Sequence, residues 1–292
     1  VAVATGMADI ALGTDTAGSV RMPAAMCGVV GYKGSYDLVL RDDLIPLAWS
    51  LDHVGVFAHT TIDAAWVTSV MSGCAPQTFW QPLQLSAAKQ VKLFCPTNYS
   101  FDLIEPSVQD TFESALNHLE SAGMIVERGA LPELDMSPTL QHFTMASEAT
   151  QAHAELGLRN ADAMGEEVRT RLEAGQFIRA TDYIKAQRLR RALAVALSRP
   201  LLNGAHAIVM PSTVSGACNA QSTLKNNGKT VPLRSVLTRL TLPFNLTGMP
   251  AISLPCGLNA EGFPVGLQLA GLKGRDALLL QAAQQCETVL RA

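Results

Sequence analysis

Gly13-Thr14-Asp15-Thr16-Ala17-Gly18-Ser19-Val20-Arg21-Met22-Pro23-Ala24-Ala25 decides how the rest of this chain reads. A loop of small, turn-forming residues delivers Ser19, then Arg21, then a short apolar run that starts a helix. Ile10-Ala11-Leu12 in front of it reads as a short strand feeding the loop. Small residues let such a loop turn its N–H groups inward. The amides of Thr16, Ala17, Gly18 and Ser19 are therefore a candidate oxyanion site beside a candidate nucleophile, Ser19. Acyl transfer needs that convergence. A GxxxxGS loop by itself is explained as well by an ordinary turn. Asp15 and Arg21 sharpen the reading: six residues apart, they flank the loop and are expected to pair across its base.

Outward from the loop, short apolar runs alternate with longer amphipathic stretches, the pattern of an α/β protein. Gly34 to His59 reads as loops or a short hairpin over the site, and Gly31-Tyr32-Lys33-Gly34 as a supporting turn. Val91 to Cys95, ahead of Pro96, reads as a buried strand. Ser107 is expected to open a helix through a capping box with Asp110. Phe112, Ala115, Leu116, Leu119 and Ala122 share one face of that helix, and Gly123 ends it. Met124 to Val126 resumes as a strand, which completes one crossover unit.

Ser137 to Leu197 is mostly helical in pattern, with Thr181 expected to cap a helix whose Arg188, Arg190 and Arg191 face solvent. Ala207 to Pro211 reads as a strand, and Asn219 to Val231 as a polar flap. Ala251 to Pro255 and Val265 to Leu269 are strands either side of a Gly-Phe-Pro turn. Asp276 is expected to cap a final helix that turns Leu279, Ala283, Cys286 and Leu290 inward. No repeat or low-complexity linker interrupts the pattern, so residues 1–292 read as one domain.

Hydrophobic residues make up 48% of the 292 and charged ones 16%, a balance that builds a sizeable core and excludes wholesale disorder. A net charge of −3 argues against nucleic acid or an anionic membrane as the main partner. No apolar run reaches the roughly 18 residues that suggest a membrane span. Cys27, Cys74, Cys95, Cys218, Cys256 and Cys286 form no CxxC pair and read as small buried hydrophobes in a reducing, cytoplasmic compartment. Val1 to Leu12 has no initiator Met and no signal-peptide pattern; it looks like the middle of a folded element, so a front segment is expected to be missing.

A catalytic serine needs a base. No G-x-S-x-G elbow surrounds Ser19, and none of His53, His59, His118, His142, His153 and His206 sits in a triad or metal-binding pattern. Each reads as a surface or core residue. No metal and no cofactor are expected. A lysine made neutral by burial is the remaining type of base, and Lys33 is the nearest in sequence.

Gly13 to Ala25, continuing through Cys27-Gly28-Val29-Val30-Gly31-Tyr32-Lys33, resembles the signature of the amidase signature family. Further blocks are similar in order and spacing: Ser50 to Gly55, Asp182-Tyr183 with the arginines after it, Pro243 to Ile252, and Gly262 to Gln268. The resemblance implies a three-layer α/β/α sandwich with a mixed β-sheet covered by helices, and a serine–cis-serine–lysine triad. By position, Ser19 matches the acylated nucleophile, Thr16, Ala17 and Gly18 the oxyanion loop, and Asp15 with Arg21 its supporting pair. Ala17 stands where the family more often has glycine, and Gly34-Ser35 replaces a proline-containing turn. Val1 to Gly6 matches the helix after the cis-serine loop, so the lysine and cis-serine are expected before residue 1.

The implied activity is hydrolysis of an amide C–N bond through a serine acyl-enzyme. The implied partner is a small-molecule amide, with no direct nucleic-acid or membrane contact and with self-association open. Two alternatives stand beside it: a glutamine-hydrolysing subunit of a tRNA-dependent amidotransferase, and a truncated, inactive member that binds or supports. Leu38 to Trp49 and Met136 to Leu158 are the expected loops of the acyl pocket.

Overall fold

The computed structural model describes residues 1–75, 78–79, 90–99, 101, 103–155, 164–217, 222–226 and 229–292. The loop of interest joins strand β1 (Ile10–Thr14) to helix α1 (Arg21–Cys27). Strands β2 (Val30–Lys33) and β3 (Val54–Ala58) follow, then helix α2 (Thr61–Met71). Strand β4 (Lys92–Pro96), helix α3 (Pro106–Ser121) and β5 (Ile125–Gly129) form the crossover, with β4 and β5 parallel. Helices α4 (Ser137–Glu155), α5 (Glu166–Gly175) and α6 (Ala180–Leu202) precede β6 (Ala207–Pro211). A small hairpin, β7 (Thr223–Asn226) and β8 (Lys229–Pro232), leads to the short helix α7 (Leu242–Leu246). Strands β9 (Ala251–Leu258) and β10 (Pro264–Ala270) and helix α8 (Asp276–Leu290) close the chain.

Eight strands form one sheet in the order β1-β3-β2-β9-β10-β6-β4-β5. Pairing is antiparallel from β1 across to β6 and parallel through β4 and β5, so the sheet is mixed. Alternation sends successive residues to opposite faces. Tyr32, Ile252, Leu254, Leu267, Leu269 and Val209 join one apolar cluster with Phe112, Leu116 and Leu119 of α3 and Leu279 and Ala283 of α8. Ile208, Met210, Ala251 and Ala270 face the other way, into a second cluster with Ala186, Leu193 and Leu197 of α6. Helices therefore cover both faces. Helix α1 lies unusually near the sheet, because a Cβ at Gly31 would stand 2.5 Å from that of Ala24.

Several expectations need correcting. Gly34 to His59 contains β3, a full strand between β1 and β2, and Lys33 ends strand β2 rather than supporting a turn. Helix α3 starts at Pro106 with Glu105 as N-cap and no side-chain cap bond, so Ser107 builds no capping box. Proline's fixed φ suits the first helical position, and its missing N–H needs no acceptor there. Arg179, not Thr181, precedes α6. Asp276 is the first residue of α8, and its carboxylate turns inward to accept from the Tyr32 hydroxyl (2.6 Å), the Ser35 N–H (2.7 Å) and the Ser35 hydroxyl (2.5 Å). That triple contact fixes the Gly34-Ser35 turn. Val1 to Gly6 is turn, not helix, with the Thr5 N–H donating to Val1 O at 2.9 Å. The expected flap includes the β7–β8 hairpin; its residues 219–221 and 227–228, like Cys218, lie outside the described residues.

Candidate functional site

The loop between β1 and α1 is locked from below. Asp15 extends the β1–β3 pairing by exchanging backbone bonds with His53 (2.8 and 3.1 Å), so its side chain enters the interior at a set point. There Oδ2 accepts from Arg21 Nε (3.0 Å) and Oδ1 from Arg21 Nη2 (2.9 Å), a two-pronged pair with both side chains fully buried. Arg21 then directs its other donors to Thr241 O (2.9 Å), Gln268 Oε1 (2.6 Å) and Asn245 Oδ1 (2.5 Å), which satisfies all five N–H groups. Asn245 Nδ2 returns to Asp15 O (2.9 Å) and Oδ1 (2.8 Å), and Gln268 Nε2 ties the cluster to Leu240 O (3.0 Å). Burial alone would raise the Asp15 pKa. The Arg21 charge and hydrogen bonds, with Lys33 and Asn245, instead hold it well below the usual carboxylate range.

Above this base the loop presents its backbone. Gly18 sits at φ +131°, where a Cβ would overlap the Thr241 hydroxyl, and that hydroxyl donates to Ala17 O at 2.6 Å. Only glycine fits both the angle and the contact. Ala17 carries no positive φ, so the backbone tolerates its side chain. Among the described residues, the N–H groups of Thr16, Ala17, Gly18 and Ser19 donate to no partner. Ser19 is exposed, its hydroxyl equally without a partner among the described residues, and it lines a cavity of about 450 Å³ with Thr14, Thr16, Arg41, Asp42, Asp52, Trp49 and the segment Leu44 to Leu47. Thr16 donates through Oγ1 to Asp52 Oδ1 (2.6 Å), while Asp52 Oδ2 accepts the N–H groups of Leu47 and Ala48 (both 2.9 Å). Burial lifts the Asp52 carboxyl above its ordinary pKa although these bonds oppose it.

One wall of the cavity is fastened to the helices behind it. The Ser50 hydroxyl and N–H donate to Glu148 (2.6 and 2.9 Å), the Tyr183 hydroxyl donates to the same carboxylate (2.9 Å), and Glu148 is buried. Arg190 donates to the Ser50 hydroxyl (2.7 Å), to Ser50 O (3.0 Å) and to Leu246 O (3.0 Å). Arg190 is therefore a structural clamp, not a solvated arginine. Arg188 and Arg191 are exposed as expected.

Neither candidate base of the chain reaches the cavity. Lys33 is buried, and its Nζ donates to Met249 O (2.6 Å) and Gly34 O (3.3 Å). Burial, then the Arg21 charge, push its pKa well below the usual lysine value. His53 is buried too, its ring centroid 5.4 Å from that of Tyr36 in an edge-to-face arrangement. Its Nδ1 lies 2.6 Å from Leu51 O and must carry the proton, because a carbonyl only accepts. Burial and the nearby Lys33 and Arg21 hold His53 well below its ordinary pKa. No cis peptide bond and no metal-binding cluster occur among the described residues. Helix α4, which contains most of Met136 to Leu158, does not line the cavity; residues 156–158 lie outside the described residues.

Sequence reading brought together Asp15, Arg21, the loop and Ser19, and missed Asp52, Thr241, Asn245 and Gln268 as its supports. Asn245 and Gln268 left one signal: each is a lone amide inside an apolar run, Phe244-Asn245-Leu246 and Leu267-Gln268-Leu269. Such a group must find buried partners.

The family model described as Amidase matches residues 1–280. The chain belongs to the amidase signature family. Within that family it is 33% identical over 323 aligned positions to a glutamyl-tRNA(Gln) amidotransferase subunit from a Picosynechococcus, a match covering 98% of this chain and 65% of the relative. A crystal structure of an amidase superposes with TM-score 0.89 at 30% identity, covering 98% of this chain and 64% of the other. The structure of the corresponding amidotransferase subunit from Thermotoga maritima gives 0.73 at 32%, over 97% and 62%. The chain thus spans about 65% of the length of the relative it matches. Among the described residues, no helix is long and apolar enough to cross a membrane.

Proposed function

We propose that this chain carries the nucleophile and oxyanion site of a serine amide hydrolase. Ser19 attacks the amide carbonyl, and the oxyanion settles among the amides of Thr16, Ala17, Gly18 and Ser19. Asp15 and Arg21 hold that loop in register. The observation that carries the reading is an exposed serine on a cavity, at the end of a loop whose four successive N–H groups have no partner among the described residues. Lys33 is committed to two carbonyls. The family resemblance implies that the proton is taken by a lysine acting through a bridging serine, both expected before residue 1. The amine leaves after protonation, water cleaves the acyl-enzyme, and no cofactor takes part. Cytoplasmic placement and a small-molecule amide partner, without direct nucleic-acid or membrane contact, belong to the same reading, with self-association left open.

The test is the intact mass of the full-length protein after treatment with a fluorophosphonate, followed by peptide mapping. A single adduct on Ser19, lost in Ser19→Ala, is expected. A folded full-length sample with Ser19 unmodified refutes the reading. A second reading, a glutamine-hydrolysing subunit that passes ammonia to a partner acting on charged tRNA, is favoured by the names of the amidotransferase relatives. It requires a stable hetero-complex and glutaminase turnover. Without its lysine and bridging serine the chain would be a binding or structural protein, stably folded and never acylated.

A further inference from the structure

Resting on the hydrolase reading above, we infer that the cavity beside Ser19 selects amides with an apolar acyl group, and discriminates against amino-acid amides such as glutamine. The wall facing Ser19 is Leu44, Ile45, Pro46, Leu47 and Trp49. Ile45 is 78% exposed, Leu47 42% and Trp49 41%, a run of large apolar side chains at the mouth of one cavity. Its size falls in the range of small-molecule sites, about 300–1,000 Å³.

Of the polar groups in the lining, Arg41, Asp52 and the Thr16 hydroxyl are already engaged by the protein. Arg41 is the cation there, and it pairs with Asp37, donates to Trp49 O (2.5 Å) and Asp52 O (3.2 Å), and lies 4.1 Å over the Tyr36 ring. A substrate carboxylate would compete with Asp37 for that guanidinium, three of whose five N–H groups are already engaged. Both oxygens of Asp52 are occupied by Thr16, Leu47 and Ala48. Asp42 is exposed with no partner among the described residues, and it repels a carboxylate. An α-amino acid entering this site would set its carboxylate against Asp42 and a cation already paired with Asp37, which costs more than a missing apolar contact.

The wall is also pre-organised. Ser50, next to Trp49, is pinned by Glu148 and Arg190, and the Leu47 and Ala48 amides by Asp52. The backbone that carries Leu47 and Trp49 is thus set before binding, which lowers the ordering cost.

The experiment is ammonia release by the full-length protein from linear primary amides, acetamide through hexanamide, and from L-glutamine. Each methylene buried against the wall is expected to raise kcat/KM about fourfold, roughly 250-fold across the series. Hexanamide is expected to exceed glutamine by about 100-fold or more at this differential. Ile45→Asp flattens the series. As a readout that needs no turnover, butylboronic acid is expected to bind more tightly than methylboronic acid by the same factor per methylene. A flat series, or preference for glutamine while Ser19 still takes the fluorophosphonate, overturns the substrate class and leaves the hydrolase intact. Absence of both turnover and Ser19 labelling overturns the hydrolase reading, and this inference with it.

Discussion

Arg21→Ala offers the sharpest test of the buried scaffold beneath Ser19. The substitution deletes five hydrogen bonds at once and strands the fully buried Asp15 carboxylate among Asn245, Gln268 and the carbonyl of Thr241. Removing one partner of a buried, hydrogen-bonded ion pair costs about 3–5 kcal/mol, most of it the penalty of leaving the other charge alone. At about 2–4 °C per kcal/mol for a chain near this size, the melting temperature falls by roughly 10 °C. Urea unfolding at pH 7 measures the loss directly.

The pH dependence carries the sign of the mechanism. Asp15 has a depressed folded-state pKa, so its stabilisation is present above the unfolded value near 4 and is lost as pH falls through the folded one. In Arg21→Ala the counter-charge is gone, and the deficit is therefore largest at neutral pH and shrinks on acidification, because a protonated Asp15 needs no cation. Replacing both partners, Asp15→Asn with Arg21→Met, is expected to recover at least half of the loss. An Arg21→Ala protein within about 1 kcal/mol of the parent at pH 7, below the range for a broken buried pair, would refute the reasoning.

Three further outcomes follow from the same geometry. Gly18→Ala forces a Cβ onto the Thr241 hydroxyl at a φ that L-residues avoid, so it should cost about 1–3 kcal/mol in chemical denaturation and abolish Ser19 labelling by a fluorophosphonate. His53 is held neutral by burial; its stabilisation is complete above the unfolded pKa near 6.5 and drains away as pH falls toward the folded value, by at most about 1.4 kcal/mol per pH unit. His53→Gln should flatten that slope between pH 6.5 and 5.5 in parallel urea titrations. Arg190→Met removes the clamp on Ser50 and should loosen the cavity wall by about 2 kcal/mol, read as roughly 30-fold faster amide exchange at Ser50, with helix α3 unchanged.

What the chain's order of residues determines is local. Small residues from Asp15 to Ser19 favour a loop, and Asp15 and Arg21 at six-residue spacing can reach one another across it. The runs at Val91 to Cys95 and Ala207 to Pro211 are too short and too apolar to be anything but buried strands, and structure places them there. The helical stripe through Phe112, Leu116 and Leu119 likewise needs no partner to be recognised.

Tertiary structure decided everything that depends on who lies alongside. Val54 to Ala58 has no alternation to mark it, because β3 is flanked by strands on both sides and buries apolar residues among glycine and alanine. In sequence Lys33 reads as a turn support, Asp276 as a helix cap and Arg190 as a solvated charge. Each is drawn inward by partners that sit between 56 and 244 residues away, Met249, Tyr32 and Leu246 among them. Asp15 and Arg21 could find each other by proximity in sequence; only the assembled sheet and α7 could deliver Asn245 and Gln268 to finish the cluster, since a buried charge pair is stable only when its remaining donors and acceptors are met.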